Sequence, residues 1–416
     1  MKKLKIRGGQ PLLGEVEIGG CKNAALPILF ATILLRDCSR IENLPRILDV
    51  ERTLDILRSM GAHITWEDTH TALIDTRELR DITPDGELVS AFRASSYLLG
   101  AGLGRFGHAR ITLPGGCRIG ARPLNLHTMA LSALGAKITE GHGEIYAEAS
   151  ALSGAEIHFA PPSVGATVNA ILAAVFAEGE SRITGAAREP HIVDLCRFLN
   201  KAGAEILGAG ESELRIRGVK KLRGVCHRVM PDPTEAGTFL SALGVTGGEL
   251  LLLNVVPGDL APIAEPLSSI GLAFDYLPEG LRALRHSSLS PFSLVAEPHP
   301  GFPTDMHPQM TALASFISGV SEIRDTVFCD RFGYVGELRR MGAELSVSSG
   351  CVRICGGTPL SGAEVTALDL RAGAALAVAA LGARGASEIQ NAEMLERGYE
   401  DFAAKLKKVG ASVEFL

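Results

Sequence analysis

Met60-Gly61-Ala62-His63-Ile64 is one of six copies of a phrase that recurs along this 416-residue chain. The other five copies are Leu134-Gly135-Ala136-Lys137-Ile138, Ala202-Gly203-Ala204-Glu205-Ile206, Ile270-Gly271-Leu272-Ala273-Phe274, Met341-Gly342-Ala343-Glu344-Leu345 and Val409-Gly410-Ala411-Ser412-Val413. Their glycines are 74, 68, 68, 71 and 68 residues apart. A spacing this regular indicates six structural repeats.

The residues around each glycine predict the order of elements within a repeat. An amphipathic stretch precedes the glycine, as Val50, Leu54 and Leu57 show at i, i+4 and i+7. The glycine is therefore predicted to be the left-handed residue that ends a helix. Alternating polar and apolar residues follow, as in two antiparallel strands. A second, more apolar helix with short strands around it lies upstream, so each repeat reads strand, helix, strand, helix, strand, strand.

The apolar helices predict how the repeats pack. Ala24 to Leu35, Val164 to Ala177 and Ala372 to Leu381 are apolar on nearly every face, so they must be buried on most sides. We expect three repeats to pack with these helices inside and the sheets outside, and two such groups to form two domains. The fold class is α/β. Counting repeats gives a first domain over 22–229 and a second beginning at residue 230.

Composition limits the classes of function. A net charge of -6 without a basic block argues against nucleic acid or an anionic membrane as a partner. No apolar stretch reaches the length of about 18 residues that a membrane span requires. The N-terminal residues lack the apolar region of a secretory signal, so we expect a cytoplasmic protein. The eight cysteines show neither Cys-x-x-Cys nor zinc spacing, which predicts reduced thiols and no metal.

Residues 113–123 read Leu-Pro-Gly-Gly-Cys-Arg-Ile-Gly-Ala-Arg-Pro and place Cys117 near Arg118 and Arg122. Neighbouring cations lower the pKa of a thiol from its model value of about 8.5, and glycines let the backbone approach a bound ligand. The alternative is a small, inert core residue, the commonest role of a free cysteine. The cationic, glycine-rich neighbourhood favours a reactive thiol.

Polar residues mark the predicted starts of five buried helices. They are Lys22-Asn23, Arg93-Ala94-Ser95-Ser96, Ser163-Val164-Gly165, Thr304-Asp305 and Asp369-Leu370-Arg371. Helix N-termini offer unpaired N–H groups and partial positive charge, which suit phosphates and carboxylates. Ordinary capping is the alternative, and it fits Ser163 and Asp305. Lys22, Arg93 and Arg371 oppose the helix dipole, which favours a role in ligand binding.

The Cys117 loop, together with residues 19–27 (Gly-Gly-Cys-Lys-Asn-Ala-Ala-Leu-Pro) and 302–306 (Phe-Pro-Thr-Asp-Met), resembles the UDP-N-acetylglucosamine 1-carboxyvinyltransferase family. The resemblance runs from Ile6 to Tyr399. It implies an inside-out α/β barrel in which residues 1–21 join 230–416 as the second domain. It also implies transfer of the enolpyruvyl group of phosphoenolpyruvate to the 3′-hydroxyl of UDP-N-acetylglucosamine, the first committed step of peptidoglycan synthesis. No cofactor, metal or obligate protein partner is implied.

The resemblance also implies the roles of particular residues. Asp305 would be the base for the sugar hydroxyl and Cys117 the acid that protonates C3 of phosphoenolpyruvate, with Lys22 and Arg397 also catalytic. The residues implied for phosphoenolpyruvate are Lys22, Asn23, Arg122, Arg371 and Arg397. The residues implied for the UDP-sugar are Arg93, Arg122, Pro123, Leu124, Asn125, Leu126, Ser163, Val164, Gly165, Asp305 and Val327. Arg331 would be coupled to the site conformationally.

Two departures and two alternatives accompany this interpretation. Asn125 stands where the family commonly has Asp, and Pro161-Pro162 replaces a stretch that often carries a lysine, so the sequence predicts nucleotide affinity less firmly than enolpyruvyl chemistry. His127 is expected to be a packed or capping residue. One alternative is the enolpyruvyl transferase of the shikimate pathway, but that enzyme does not share the Cys117 loop or the Lys22-Asn23 context. The other is a non-catalytic paralogue that senses a UDP-sugar.

Overall fold

The computed structural model describes residues 2–80, 86–90, 92–113, 123–285 and 288–416 and confirms the α/β class. The strands in chain order are β1 Lys3–Arg7, β2 Leu12–Glu17, β3 Cys38–Glu42, β4 His63–Trp66, β5 Ala72–Asp75, β6 His108–Thr112, β7 Lys137–Gly141, β8 Glu144–Glu148, β9 Glu156–His158, β10 Glu180–Thr184, β11 Glu205–Leu207, β12 Glu213–Arg217, β13 Cys226–Arg228, β14 Gly248–Leu253, β15 Ala273–Leu277, β16 Gly280–Arg285, β17 Ser293–Ala296, β18 Gly319–Asp325, β19 Glu344–Ser348, β20 Cys351–Gly356, β21 Glu364–Thr366, β22 Ala386–Gln390 and β23 Ser412–Phe415.

The helices alternate with these strands. The α-helices are α1 Lys22–Thr32, α2 Leu48–Ser59, α3 Gly86–Ser90, α4 Leu98–Phe106, α5 Asn125–Ala133, α6 Val164–Ala174, α7 Pro190–Ala202, α8 Pro233–Thr246, α9 Pro257–Ser269, α10 His307–Ala314, α11 Tyr334–Arg340, α12 Leu370–Gly382 and α13 Phe402–Lys408. Short 3₁₀ helices cover Arg93–Tyr97, Thr304–Met306 and Ala392–Arg397. No helix in the described ranges is long and apolar enough to span a membrane.

The repeated glycines all end helices in the left-handed conformation. Their φ angles lie between +94° and +121°, a region where a side chain would be strained. They are Gly61, Gly135, Gly203, Gly271, Gly342 and Gly410. Each follows the end of a helix and precedes a strand, namely β4, β7, β11, β15, β19 or β23. The prediction of helix-ending glycines is therefore confirmed.

The described strands form six small sheets with one common plan. Their strand orders are β13-β3-β5-β4, β6-β8-β7, β11-β12-β10-β9, β15-β16-β14-β2, β17-β18-β20-β19 and β21-β22-β1-β23. Three antiparallel strands recur in each, and five sheets add one parallel strand at the edge. In the last sheet the N-terminal strand β1 occupies the middle and pairs with β23, with Leu4 opposite Phe415.

The described residues divide into two compact units, each with its own hydrophobic core. The central unit comprises the described residues between 20 and 230, and the terminal unit comprises residues 2–19 and the described residues from 231 to 416. In the terminal unit α8, α10 and α12 pack on one another, and α12 is buried from Leu370 to Leu381. In the central unit α4 packs against α1 and α6, which are also buried along most of their length. The prediction that the apolar helices are buried is confirmed.

Candidate functional site

The terminal unit holds Asp305 between two guanidinium groups, and we call Asp305, Arg331 and Arg371 the Asp305 cluster. Arg331 Nη1 lies 2.8 Å from Asp305 Oδ1, and Arg371 Nη2 lies 2.9 Å from Asp305 Oδ2. Asp305 belongs to the 3₁₀ helix before α10, Arg331 to the segment between β18 and α11, and Arg371 to the first turn of α12. The Asp305 side chain is 28% exposed, whereas each arginine side chain is 4% exposed.

The electrostatics of this cluster keep Asp305 ionised. Burial opposes the charge, but the Arg371 and Arg331 guanidinium groups outweigh it and hold the pKa of Asp305 well below its usual range. Burial also opposes the charge of Arg371, yet Asp305 raises the pKa of Arg371 above its ordinary value. A carboxylate with a lowered pKa accepts a proton weakly. If a ligand bound one of the two arginines, the pKa of Asp305 would rise and Asp305 would become a stronger base.

The expectation that Asp305 caps its helix is wrong. Asp305 lies inside the 3₁₀ helix, and the residues at the cap positions, Pro303 and Met306, make no side-chain cap. The Asp305 carboxylate oxygens instead accept hydrogen bonds from the two arginines. The cap of α12 is Asp369, whose Oδ1 accepts hydrogen bonds from the backbone N–H of Arg371 at 2.8 Å and of Ala372 at 3.1 Å. The carboxylate of Asp369 offsets the unfavourable position of a cation in this first turn.

The central unit holds Lys22 in a second charged group, and we call Lys22, Asp49 and Arg52 the Lys22 cluster. Lys22 is the first residue of α1, and its Nζ lies 2.6 Å from Asp49 Oδ2. Arg52 Nη1 lies 3.6 Å from the other carboxylate oxygen. Asp49 occupies the first turn of α2, where the helix dipole favours an acid. Asn23, the next residue of α1, is half-buried.

Two of the segments predicted for the UDP-sugar meet at Arg93, whose Nη2 donates a hydrogen bond to the backbone carbonyl of Pro123 at 3.3 Å. Residues 123–126 lead into α5, with Leu124 buried and Asn125 exposed as the first helical residue. Leu126 is half-buried in the first turn. The structure therefore places Arg93 beside the 123–126 segment within the central unit.

The third predicted segment, residues 163–165, lies beside the same helix. Ser163 Oγ accepts the backbone N–H of Ala166 at 3.3 Å, which confirms Ser163 as the cap of α6. Val164 and Gly165 form its first turn, and a Cβ on Gly165 would lie 2.7 Å from the His127 ring. His127 is buried, as predicted, and its Nδ1 lies 2.8 Å from Asn169 Nδ2. The close contact of α5 with α6 thus requires a glycine at position 165.

The remaining predicted residues are only partly described. Val327 is 36% exposed, and its backbone N–H donates to Asp325 Oδ1 at 2.8 Å. Arg397 is half-buried at the end of its 3₁₀ helix. The next residue, Gly398, lies so close to the start of α12 that a Cβ would lie 2.5 Å from Leu370 Cδ2. Cys117, Arg118 and Arg122 lie outside the described residues.

Sequence reasoning missed Asp49, although the helical pattern of α2 carried a signal for it. Asp49, Thr53 and Ile56 recur at i, i+4 and i+7 and are all buried. A charged residue on the buried face of a helix needs a charged or hydrogen-bonding partner. Here that partner is Lys22. Sequence reasoning also missed the hydrogen bond from Arg371 Nη1 to Tyr399 Oη at 3.2 Å, for which the chain shows no comparable pattern.

Comparison with known proteins shows the family of the whole chain. Residues 6–406 match the family model described as EPSP synthase (3-phosphoshikimate 1-carboxyvinyltransferase). The UDP-N-acetylglucosamine 1-carboxyvinyltransferase of Acidobacterium capsulatum is 43% identical, with 100% of this chain and 96% of that protein covered. UDP-N-acetylglucosamine 1-carboxyvinyltransferase 2 of Carboxydothermus hydrogenoformans is 44% identical, with 100% and 99% covered. The chain belongs to the UDP-N-acetylglucosamine 1-carboxyvinyltransferase family.

Solved structures share the fold of this family member. The enolpyruvyl transferase NikO from Streptomyces tendae superposes with a TM-score of 0.90 at 27% identity, covering 100% of this chain and 99% of that one. An EPSP synthase from Acinetobacter baumannii superposes with a TM-score of 0.76 at 20% identity, covering 100% of both chains. At that identity the second similarity shows the fold alone.

Proposed function

We propose that this enzyme transfers the enolpyruvyl group of phosphoenolpyruvate to the 3′-hydroxyl of UDP-N-acetylglucosamine and releases phosphate, as the first committed step of peptidoglycan synthesis. The observation that carries the proposal is the Asp305 cluster. Three residues from separate stretches of the chain form one ion triad, with the carboxylate as its most exposed member. The full-length similarity to relatives named for this reaction supports it.

In the proposed first step, the sugar hydroxyl adds to C2 of phosphoenolpyruvate while C3 gains a proton. Asp305 accepts the hydroxyl proton, and the Cys117 thiol donates the proton to C3. The resulting tetrahedral intermediate then loses a proton from C3, and its bond to phosphate breaks. The products are the enol ether and inorganic phosphate, so the reaction needs no oxidant or reductant. The Cys117 thiolate can also add to C2 and form a covalent phospholactoyl adduct.

Phosphoenolpyruvate itself would strengthen the base. Arg371 and Arg397 are proposed to bind its anionic groups together with Lys22, Asn23 and Arg122. Whenever the substrate engages Arg371, the positive charge facing Asp305 is shared with a second anion. Because Arg371 is one of the groups that lower the pKa of Asp305, that pKa would then rise toward its usual range. Base strength would thus depend on substrate binding.

The UDP-sugar is proposed to bind residues of both units. The central unit would supply Arg93, Arg122, Pro123, Leu124, Asn125, Leu126, Ser163, Val164 and Gly165, and the terminal unit would supply Asp305 and Val327. The contact between Arg93 and the Pro123 carbonyl supports the grouping of the first two segments. The close contact of Gly165 with His127 supports the grouping of the third with the second.

We also propose the finer architecture and setting. Residues 22–229 form one domain and residues 1–21 with 230–416 the other, each an inside-out arrangement of three sheets around three buried helices. The packing of α8, α10 and α12 on one another supports this in the terminal unit. We propose a cytoplasmic enzyme that acts on its two substrates without nucleic acid, membrane or an obligate protein partner.

The decisive experiment is phosphate release from phosphoenolpyruvate with different acceptors. We expect release that depends on UDP-N-acetylglucosamine, with none above background when shikimate 3-phosphate replaces it. Release that depends on shikimate 3-phosphate would assign the enzyme to the other branch of the family. Nucleotide-sugar binding without phosphate release would make the protein a sensor. The Asp275→Asn variant, in the exposed part of β15, is a control that changes one surface charge and should keep full activity.

A further inference from the structure

We propose that Tyr399 is a positioning residue that, together with Thr238 and Gln309, orients Arg371 toward Asp305. This inference rests on the proposed role of Asp305 as the base. Arg371 uses two edges of its guanidinium group. Nη1 donates to Tyr399 Oη at 3.2 Å, while Nε and Nη2 donate to Asp305 Oδ2 at 3.2 and 2.9 Å. Because the guanidinium is planar and rigid, fixing one edge fixes the direction of the other.

The hydrogen bonds around Tyr399 leave its hydroxyl one orientation. Thr238 Oγ1 donates to the carbonyl of Thr234 at 2.8 Å, so it must accept from its other neighbours. The Tyr399 hydroxyl, 2.9 Å away, therefore donates to Thr238. Burial raises the pKa of Tyr399, which keeps this proton in place. The Tyr399 oxygen is left to accept from Arg371.

Gln309 fixes the same oxygen from a third direction. Its Nε2 donates to Tyr399 Oη at 3.3 Å and to Thr238 Oγ1 at 3.2 Å. Gln309 lies on α10 and Thr238 on α8, while Arg371 lies on α12. All four side chains of the network are buried. The network therefore connects the three packed helices of the terminal unit to the edge of Arg371 that faces away from Asp305.

Removing the Tyr399 hydroxyl would leave one buried edge of Arg371 without this acceptor. An unsatisfied donor on a charged group is costly in a buried place, so the guanidinium would adopt other orientations. Asp305 would then keep its bond to Arg331 but lose the fixed orientation of Arg371, and the contact proposed between Arg371 and phosphoenolpyruvate would be disturbed as well. We expect turnover to fall while binding of the UDP-sugar persists.

The chain offers a matched control in Tyr334. Tyr334 and Tyr399 are each 2% exposed and belong to the same unit. The Tyr334 hydroxyl lies 2.8 Å from Thr311 Oγ1 and 2.9 Å from His307 Nε2. Tyr334→Phe thus removes a buried, hydrogen-bonded phenol hydroxyl just as Tyr399→Phe does. Its hydrogen-bond partners differ, since they do not include Arg371.

The test compares full-length Tyr399→Phe and Tyr334→Phe proteins by kinetics, thermal unfolding and NMR of the arginine side chains. The Nε–H signal of Arg371 is assigned by its loss in Arg371→Lys. We expect Tyr399→Phe to lower kcat about tenfold or more, to leave KM for UDP-N-acetylglucosamine within about twofold, and to speed rotation of the Arg371 guanidinium. Tyr334→Phe should lower the melting temperature by a similar amount but change neither kcat nor that rotation.

Equal changes of kcat in the two variants, or unchanged rotation of Arg371 in Tyr399→Phe, would overturn the inference. Failure of the proposed function has a different signature. If the unaltered enzyme releases no phosphate with UDP-N-acetylglucosamine, the proposed reaction is wrong, and the rotation of Arg371 still decides whether Tyr399 positions it.

Discussion

The Lys22 cluster and the Asp305 cluster both place an aspartate between two cations, but they differ in which charge is more exposed. In the central unit Asp49 is 2% exposed, whereas the Lys22 side chain is 13% exposed. In the terminal unit Asp305 is 28% exposed and its two arginines are 4% exposed. One cluster thus presents a cation supported by a buried acid. The other presents an acid supported by buried cations.

These exposures fit the task proposed for each cluster. An ammonium held by a buried carboxylate is oriented for phosphate or carboxylate oxygens. A more exposed carboxylate can receive a proton, but its hydrogen bonds to the two arginines must first weaken. The distances agree with this distinction. Asp305 is bound evenly, at 2.8 and 2.9 Å, whereas Asp49 is bound unevenly, at 2.6 Å by Lys22 and 3.6 Å by Arg52.

The largest expected effect is that of Asp305→Ala. We expect turnover to fall by about two to four orders of magnitude, the usual contribution of a general acid or base. UDP-sugar binding should persist at reduced affinity in a calorimetric titration. The melting temperature should also fall, because Arg331 and Arg371 remain buried without their carboxylate. Turnover within a few-fold of the unaltered enzyme, alongside the lower melting temperature, would show that Asp305 has a structural role only.

We propose a binding cation in the central unit, a base in the terminal unit, and Cys117 as the source of the proton for C3. We expect Cys117 to be the thiol that a phosphonate epoxide such as fosfomycin labels, as the family resemblance implies. Burial raises the pKa of Cys196 to about 12, so that thiol is the matched unreactive control. Cys117→Asp should retain some turnover, since a carboxylic acid can donate a proton, and should resist the epoxide.

Peptide mass mapping of the inhibited protein measures this directly. The adduct should lie on the peptide that contains Cys117. An adduct on any other cysteine, or full epoxide sensitivity of Cys117→Asp, would remove Cys117 from the proposed mechanism.

A smaller, graded effect is expected within the Lys22 cluster. Lys22→Met should raise KM for phosphoenolpyruvate by about 10- to 100-fold, through loss of a charge-assisted hydrogen bond. Asp49→Asn should raise it less, because the ammonium remains but is oriented less strictly. Arg52→Gln, which removes the longer ion pair, should stay within about twofold. If Arg52→Gln raises KM for phosphoenolpyruvate as much as Asp49→Asn does, the uneven binding of Asp49 has no functional meaning.

The sequence predicted local features of the fold and missed long-range pairings of the site. The repeated glycines, the buried helices and the cap at Ser163 depend on neighbouring residues, so periodicity and helix-end chemistry predicted them. Asp305 and Arg371 lie 66 residues apart, and Thr238 and Tyr399 lie 161 apart. Which acid meets which cation depends on how whole helices pack. Periodicity does not specify that packing, and the capping prediction for Asp305 was wrong for this reason.

The smallest expected effect concerns the loss of stability in acid, which should differ between the two units. His307, at the start of α10, is buried, and burial together with the charge of Arg331 lowers its pKa to about 3. The pKa of an unfolded histidine is about 6.5, so between these two pKa values the unfolded chain binds more protons than the folded one. The stability that His307 contributes is therefore complete above about pH 6.5 and is lost as the pH falls toward 3.

His307→Gln should remove this part of the pH dependence, because an amide can donate to Tyr334 but does not titrate. We expect the free energy of unfolding in urea to fall more steeply from pH 7 to pH 5 in the unaltered protein than in His307→Gln. The difference in slope can reach at most about 1.4 kcal/mol per pH unit for one group. After correction for the intrinsic exchange rate at each pH, protection from hydrogen exchange should fall on acidification in α10 before it falls in α1. Parallel slopes in the two proteins would mean that His307 does not titrate on unfolding, and the acid response would then not distinguish the units.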